Sequence, residues 1–180
     1  YTDVQDLIVP AFTNKTLATS IATNAGDGYI FGVELEGAWR FHPQWTLSGF
    51  AAWQKGETES TVIIGEPAVN KPNTRQLPLS GSVALRWDDV DGKFWVEGRL
   101  MGATEEDRIT AIDQAADNQR IPTGGTPGYV VASLRAGWHV NKNLDLTCGL
   151  ENLSDENYRI HGSGQNEAGI GAVFGLKVMW

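Results

Sequence analysis

His161 and Ser163 stand two residues apart, an arrangement that would suit a hydrolase in which an imidazole takes the proton of an attacking hydroxyl. That chemistry also needs a third group to orient the base. No residue presents itself for the role, and Gly162 between them reads as a loop turn. His161 would equally serve as an axial ligand of haem, since imidazole suits iron. Glu34 and Glu36 would make an acid/base pair, but on an extended strand the same spacing only sets two carboxylates on one wall. The Gly-Gly-Thr-Pro-Gly run at 124–128 lacks the lysine and the following helix of a phosphate loop, and reads as a turn. Glu105, Glu106, Asp107, Asp113 and Asp117 make one segment acidic. Such a segment attracts cations, yet its ordinary meaning is a solvated loop. The single cysteine, Cys148, excludes an internal disulfide and a cysteine-based metal cluster, and reads as a small apolar strand residue. These residues assemble no reaction, so no catalytic residue, metal site or cofactor is expected.

The elements that carry them share one pattern. Residues 170–180, IGAVFGLKVMW, set Ile170, Ala172, Phe174, Leu176, Val178 and Trp180 on one parity, against Gly171, Val173, Gly175, Lys177 and Met179. Roughly ten residues with one apolar and one small or polar face is what a transmembrane barrel strand requires. The same alternation recurs over 1–9, 29–41, 45–55, 80–88, 94–103, 129–140 and 144–152, which predicts eight strands. Short turns at 42–44, 89–93 and 141–143 alternate with long connections at 10–28, 56–77, 104–127 and about 154–168. A small hairpin is expected at 61–64, Thr-Val-Ile-Ile. A soluble sandwich has no reason to collect its long loops at one end, whereas outer-membrane barrels do so on the extracellular side.

Charges and aromatics support the same reading. Glu34, Glu36, Arg40, Arg86, Glu97, Arg99, Arg135, Asp145, Glu151 and Lys177 all fall on the non-apolar parity, five acidic and five basic. They are expected to line a lumen and touch whatever fills it. Trp39, Trp45, Trp87, Trp95, Trp138 and Trp180 lie near short turns or the terminus and predict a periplasmic aromatic girdle. Trp95 alone among them is on the wrong parity, and Trp53 alone lies toward a long loop. With 180 residues, 21 Gly, 7 Trp, 20% charged residues and a net charge of −8, the chain is a poor nucleic-acid binder. No apolar run is long enough for a membrane helix. The sequence has no initiating Met or signal peptide and opens inside a strand, so a mature fragment is expected.

Three segments resemble TonB-dependent outer-membrane receptors. They are NAGDGYIFGVELEG at 24–37, RIPTGGTPGY at 120–129, and LENLSDENY at 150–158 followed by RIHGSG and the terminal aromatic strand. The resemblance extends over the whole chain and implies the C-terminal barrel segment of such a receptor, residues 1–180, with the plug domain lying outside it. It implies about eight strands of an antiparallel up-and-down barrel of about 22, filled by a plug. The implied activity is import of a scarce nutrient of the iron–siderophore, haem or cobalamin class, with no enzyme chemistry. Implied partners are outer-membrane lipid of a Gram-negative-type bacterium, a TonB complex reached through the plug, the nutrient, and the barrel-assembly machinery. Gly175, Val178 and Trp180 resemble the signal that machinery reads, with Val173 where a polar residue is usual. The resemblance offers Arg120, His161 and Asn166, all in loops, as candidate ligand contacts. Two alternatives stand beside this reading. One is a self-contained eight-stranded outer-membrane barrel, structural or lipid-modifying; the other is a soluble barrel binding a small apolar ligand.

Overall fold

The computed structural model describes residues 1–14, 16, 19–24, 26–115 and 119–180, so Asp117 of the acidic segment lies outside it. The described chain is all-β. Its strands are β1 (Thr2–Val4), β2 (Ile8–Phe12), β3 (Ser20–Asn24), β4 (Gly28–His42), β5 (Trp45–Ser60), β6 (Val69–Pro72), β7 (Ser80–Asp88), β8 (Phe94–Ala103), β9 (Tyr129–Asn141), β10 (Leu144–Glu151) and β11 (Gly171–Val178). One antiparallel sheet runs in the order β1-β4-β5-β7-β8-β9-β10-β11, with β6 added to the upper part of β5. Hairpin follows hairpin, so nearest neighbours in sequence are neighbours in space. No helix among the described residues is long and apolar enough to cross a membrane.

The register keeps the two faces apart. Val33 opposes Trp53, Leu47 opposes Leu85, Val83 opposes Leu100, Phe94 opposes Trp138, and Leu146 opposes both Trp138 and Leu176. Because strand parity is two, a slip of one residue anywhere would put these side chains among the charges. The apolar face is mostly exposed, Leu35, Phe174 and Leu176 among its residues, and the buried apolar residues among those described are few, Ala11, Phe12, Ala84, Ile121 and Val131. A sheet with its large aliphatics turned outward has no water-soluble core on that side.

At the short-turn end, β4–β5 and β9–β10 are each joined by two residues, with a bulge between Trp39 and His42 and another at Leu144/Asp145. Asn141 Oδ1 accepts the Asn143 N–H at 2.9 Å, closing the second turn on a side chain. Gly92 carries the left-handed backbone (φ +66) of the β7–β8 turn.

The long-loop end departs from the sequence expectation. The first predicted strand breaks after Val4, where Asp6 takes φ +53, and the chain then forms the β2–β3 hairpin as a separate two-stranded sheet. The stretch expected to be a loop therefore pairs Val9 with Thr23 and Ala11 with Ile21. The 61–64 run is not itself a hairpin. It forms the tip of one, because β5 continues to Ser60 and pairs with β6 from Glu57↔Pro72 to Ser60↔Val69. Ile63 in that tip bridges Phe12 of β2.

Candidate functional site: a charged face beneath a packed loop layer

The ten charged strand residues share one face, as their spacing requires, but they fall into two groups. On β7–β11 they neutralise one another. Arg86 is the register partner of Glu97, and Glu97 in turn of Arg135, so the sign alternates from strand to strand. Arg135 reaches Glu151 at 2.9 Å, Arg99 meets Glu97 at 3.4 Å, and Lys177 lies opposite Asp145, itself 2.7 Å from His139 Nδ1. Arg99 Nε is buried with no acceptor. On β4, Glu34 and Glu36 face only Ala52 and Phe50, and among the described residues neither they nor Arg40 form an ion pair.

Trp95 explains its own exception. Its indole lies under the Arg86 guanidinium, 4.3 Å from ring centroid to Cζ, while Arg86 grips Asp88 through Nε and Nη2 at 3.0 and 2.8 Å. The ring also occupies the space that a Cβ at Gly137 would need. This aromatic therefore belongs to the charged face as a platform for a cation.

On the apolar face, aromatics gather at both ends. Near the short turns Trp39 meets Phe41, Trp45 opposes Trp87, and Phe94 stacks on Trp138 at 5.5 Å. Toward the loops Tyr1, Tyr29, Phe31 and Trp53 form a continuous series with centroids 6.4, 6.1 and 5.2 Å apart. Sequence reading missed this second belt, because only Trp53 marked it.

Above the belt the loops pack on one another. The Gly56 N–H donates to Gln76 Oε1 at 2.6 Å and the Thr58 hydroxyl to Asn73 Oδ1 at 2.6 Å, tying the 73–76 turn to the top of β5. Arg108 reaches Glu57 at 2.9 Å. The acidic segment is not simply solvated. Asp113 is only 1% exposed and accepts from the Thr74 hydroxyl and, at 2.9 Å each, from the Thr110 N–H and hydroxyl. Glu106 is buried too, paired through its backbone to Thr126.

His161 is 7% exposed, with Nδ1 2.9 Å from Thr126 Oγ1. Burial lowers its pKa from the ordinary value, and the nearby Glu106 and Asp113 pull it back upward. Ser163 donates to the Gln165 carbonyl at 2.8 Å rather than to His161, so the two form no catalytic pair. Arg120 lies against Gly164, which brings Arg120 and His161 to the same seam between the 104–128 and 152–170 loops. Asn166 does not join them. It bonds Arg159 at 2.9 Å and Asn157 at 2.6 Å on the exposed side of its own loop. Among the described residues no group of three or more His, Cys, Asp or Glu is placed to hold a metal ion.

The LENLSDENY segment acts as a clamp. Asn152 and Asp155 take left-handed φ of 52° and 51°, which short polar residues tolerate. Asn152 Nδ2 donates to the Glu156 and Ala168 carbonyls at 2.9 and 3.0 Å. Asp155 Oδ1 accepts the Ile170 N–H at 3.0 Å, one residue before β11.

Hairpins in sequence order, alternate short and long connections and a face-separated sheet together define a transmembrane β-barrel wall. The sequence matches the family described as "TonB dependent receptor-like, beta-barrel" over residues 1–153, and the chain belongs to that family. The family and its structural neighbours are transport receptors rather than enzymes. A sequence comparison with curated proteins gives no significant match. Among solved structures, "Copper transporter OprC" is 20% identical with a TM-score of 0.76, over 98% of this chain and 26% of its own. The FrpB iron transporter of Neisseria meningitidis (F5-1 variant, apoprotein form) is 15% identical with a TM-score of 0.72, over 98% and 27%. The ferric yersiniabactin uptake receptor FyuA of Yersinia pestis is 18% identical with a TM-score of 0.62, over 98% and 26%. The chain thus spans about a quarter of the length of each of these proteins.

Proposed function

We propose that this chain is the C-terminal part of a TonB-energised receptor in the outer membrane of a Gram-negative-type bacterium, importing a nutrient of the iron–siderophore, haem or cobalamin class. The observation that carries the reading is the separation of faces, apolar against apolar across the registers and ten charges on the other side. In this reading the apolar face meets lipid, where an Arg or Lys at mid-depth would cost about 2–4 kcal/mol. The two aromatic belts mark the two interfaces. From Phe31 to Trp39 the strand rises about 27 Å, commensurate with an apolar band of about 25 Å once tilt is allowed.

The charged face is then the lumen wall against a plug from elsewhere in the protein. A sign-balanced wall suits a polar insert better than an ion-selective pore. Glu34 and Glu36 are open to such a partner, and a plug carbonyl would satisfy the buried Arg99 Nε. The structural neighbours, a copper transporter, an iron transporter and a ferric yersiniabactin receptor, support a metal-bearing cargo. Arg120, His161 and Asn166 remain the loop positions put forward for contact with it.

The free edge of β11 would pair with the first strand of the barrel, since lipid offers no hydrogen bonds to an open edge. Gly175, Val178 and Trp180 would present the assembly signal. The test is growth of a strain lacking the full-length receptor, on iron–siderophores, haem or cobalamin as the only source. Growth restored by the receptor on one class, and lost again without TonB, is expected. Growth indifferent to the receptor on every class overturns the reading.

A further inference from the structure

Between the β2–β3 hairpin, the β5–β6 hairpin and the 110–112 turn lies a cavity of about 230 Å³. Leu7, Val9, Ile30, Val62 and Ile112 supply apolar wall. A dry apolar cavity of about 150 Å³ accepts a benzene ring, so this one has room for a ring with a substituent. β2 holds its place over the cavity by two backbone bonds, the Phe12 N–H to the Val62 carbonyl at 2.8 Å and the Ile64 N–H to the Phe12 carbonyl at 2.9 Å.

The polar lining decides the charge of the guest. Thr58 is engaged by Asn73, and Thr74 and Thr110 by Asp113, so their groups already have partners. Lys71 is the only charged residue of the lining, no carboxylate belongs to it, and among the described residues Lys71 forms no ion pair. The one charge that the lining itself presents is therefore positive, with the Asp113 carboxylate held behind Thr74 and Thr110.

We propose that the cavity binds the ring of a small organic anion, with the ring among Val9, Ile30 and Val62 and the anionic oxygen at the Lys71 ammonium. The proposal rests on the import reading in one respect: the anion is taken as part of the cargo.

The experiment titrates the full-length receptor in detergent with benzoate, benzylammonium and acetate by calorimetry or saturation-transfer NMR. Saturable benzoate binding is expected, with benzylammonium and acetate at least tenfold weaker. Lys71→Gln should weaken benzoate about two- to fivefold, as loss of one partly exposed ion contact does. Val62→Trp should fill the cavity and abolish binding. Val9→Phe fills it from the separate hairpin and replaces that variant if Val62→Trp does not assemble. Benzoate binding unchanged in both the Lys71 and the filling variants, or benzylammonium binding as tightly as benzoate, overturns the site. Binding that follows these rules in a receptor whose growth phenotype ignores TonB overturns the import reading and leaves the site standing. TonB-dependent growth with binding indifferent to the variants does the reverse.

Discussion

The two ends of the sheet are held by different kinds of contact. At the short-turn end Arg86 bonds Asp88, Arg99 bonds Glu97 and Asn143 bonds Asn141, each two residues apart, and His139 and Asp145 are six apart, with one longer bond from the Asn143 amide to the Met179 carbonyl. At the loop end the bonds join Arg108 to Glu57, Thr74 to Asp113 and His161 to Thr126, across 51, 39 and 35 residues. Most of the lower contacts form as soon as a hairpin closes, and only the Asn143 to Met179 bond waits for β11. The upper ones require several hairpins to be in place first, and loop closure over such distances opposes them. Such a construction gives a locally encoded base and a top layer whose order depends on its neighbours, the usual division between scaffold and binding surface.

The sharpest way to break the comparison is to charge the apolar face. Leu176→Arg should cost about 2–4 kcal/mol and suppress assembly, whereas Thr147→Arg, with Gly137 and Gly175 on either side, should leave it intact. Heat-modifiable electrophoretic mobility reads the difference, and equal behaviour would refute the assignment of faces. Next in size is Asp113→Ala, which strands the Thr110 N–H and the Thr74 and Thr110 hydroxyls at a cost of about 1–3 kcal/mol. Proteolysis of the 104–128 loop should accelerate while hydrogen exchange in β7–β10 stays unchanged; slowed or unaltered cleavage would count against a top layer held by this side chain.

A pH effect should follow from His161. Its folded-state pKa lies below the ordinary 6.5 because burial disfavours the cation. Docking of the 152–170 loop is therefore complete above about pH 6.5 and weakens as pH falls through the lowered value. Hydrogen-exchange protection around Thr126 and His161, taken relative to intrinsic exchange at each pH, should fall from pH 7.5 to 5, and His161→Gln should flatten that response. Smallest is Arg86→Ala, where a partly exposed ion pair and a ring contact together contribute about 1 kcal/mol. Its signature is a change in Trp95 emission with little loss of stability; a loss as large as that of Asp113→Ala would erase the distinction between the ends.

The sequence revealed most where the physics is local. Alternation located eight of the nine strands of the main sheet, missing β6, and put the ten charges it singled out on one parity, since parity follows from extended backbone alone. It failed at the top for identifiable reasons. Residues 8–24 carry Pro10 and little alternation, so the β2–β3 pairing left no signal. β5 continues past Trp53 with Lys55, Glu57 and Glu59 on its formerly apolar parity, which ended the apolar pattern although the strand itself went on. Asp113 read as a solvated acid because its partners Thr74 and Thr110 are ordinary loop residues until folding brings them together. Tyr1, Tyr29 and Phe31 became a belt with Trp53 only through registers that no short window contains.

The Asn152–Asp155 clamp has an evolutionary consequence. By fastening Ala168 and Ile170 to the residues just after β10, it fixes where β11 begins whatever lies between. Residues 157–167 can then be exchanged, lengthened or shortened as a cassette, with the final strand keeping its register. This loop can therefore diverge without altering the wall beneath it.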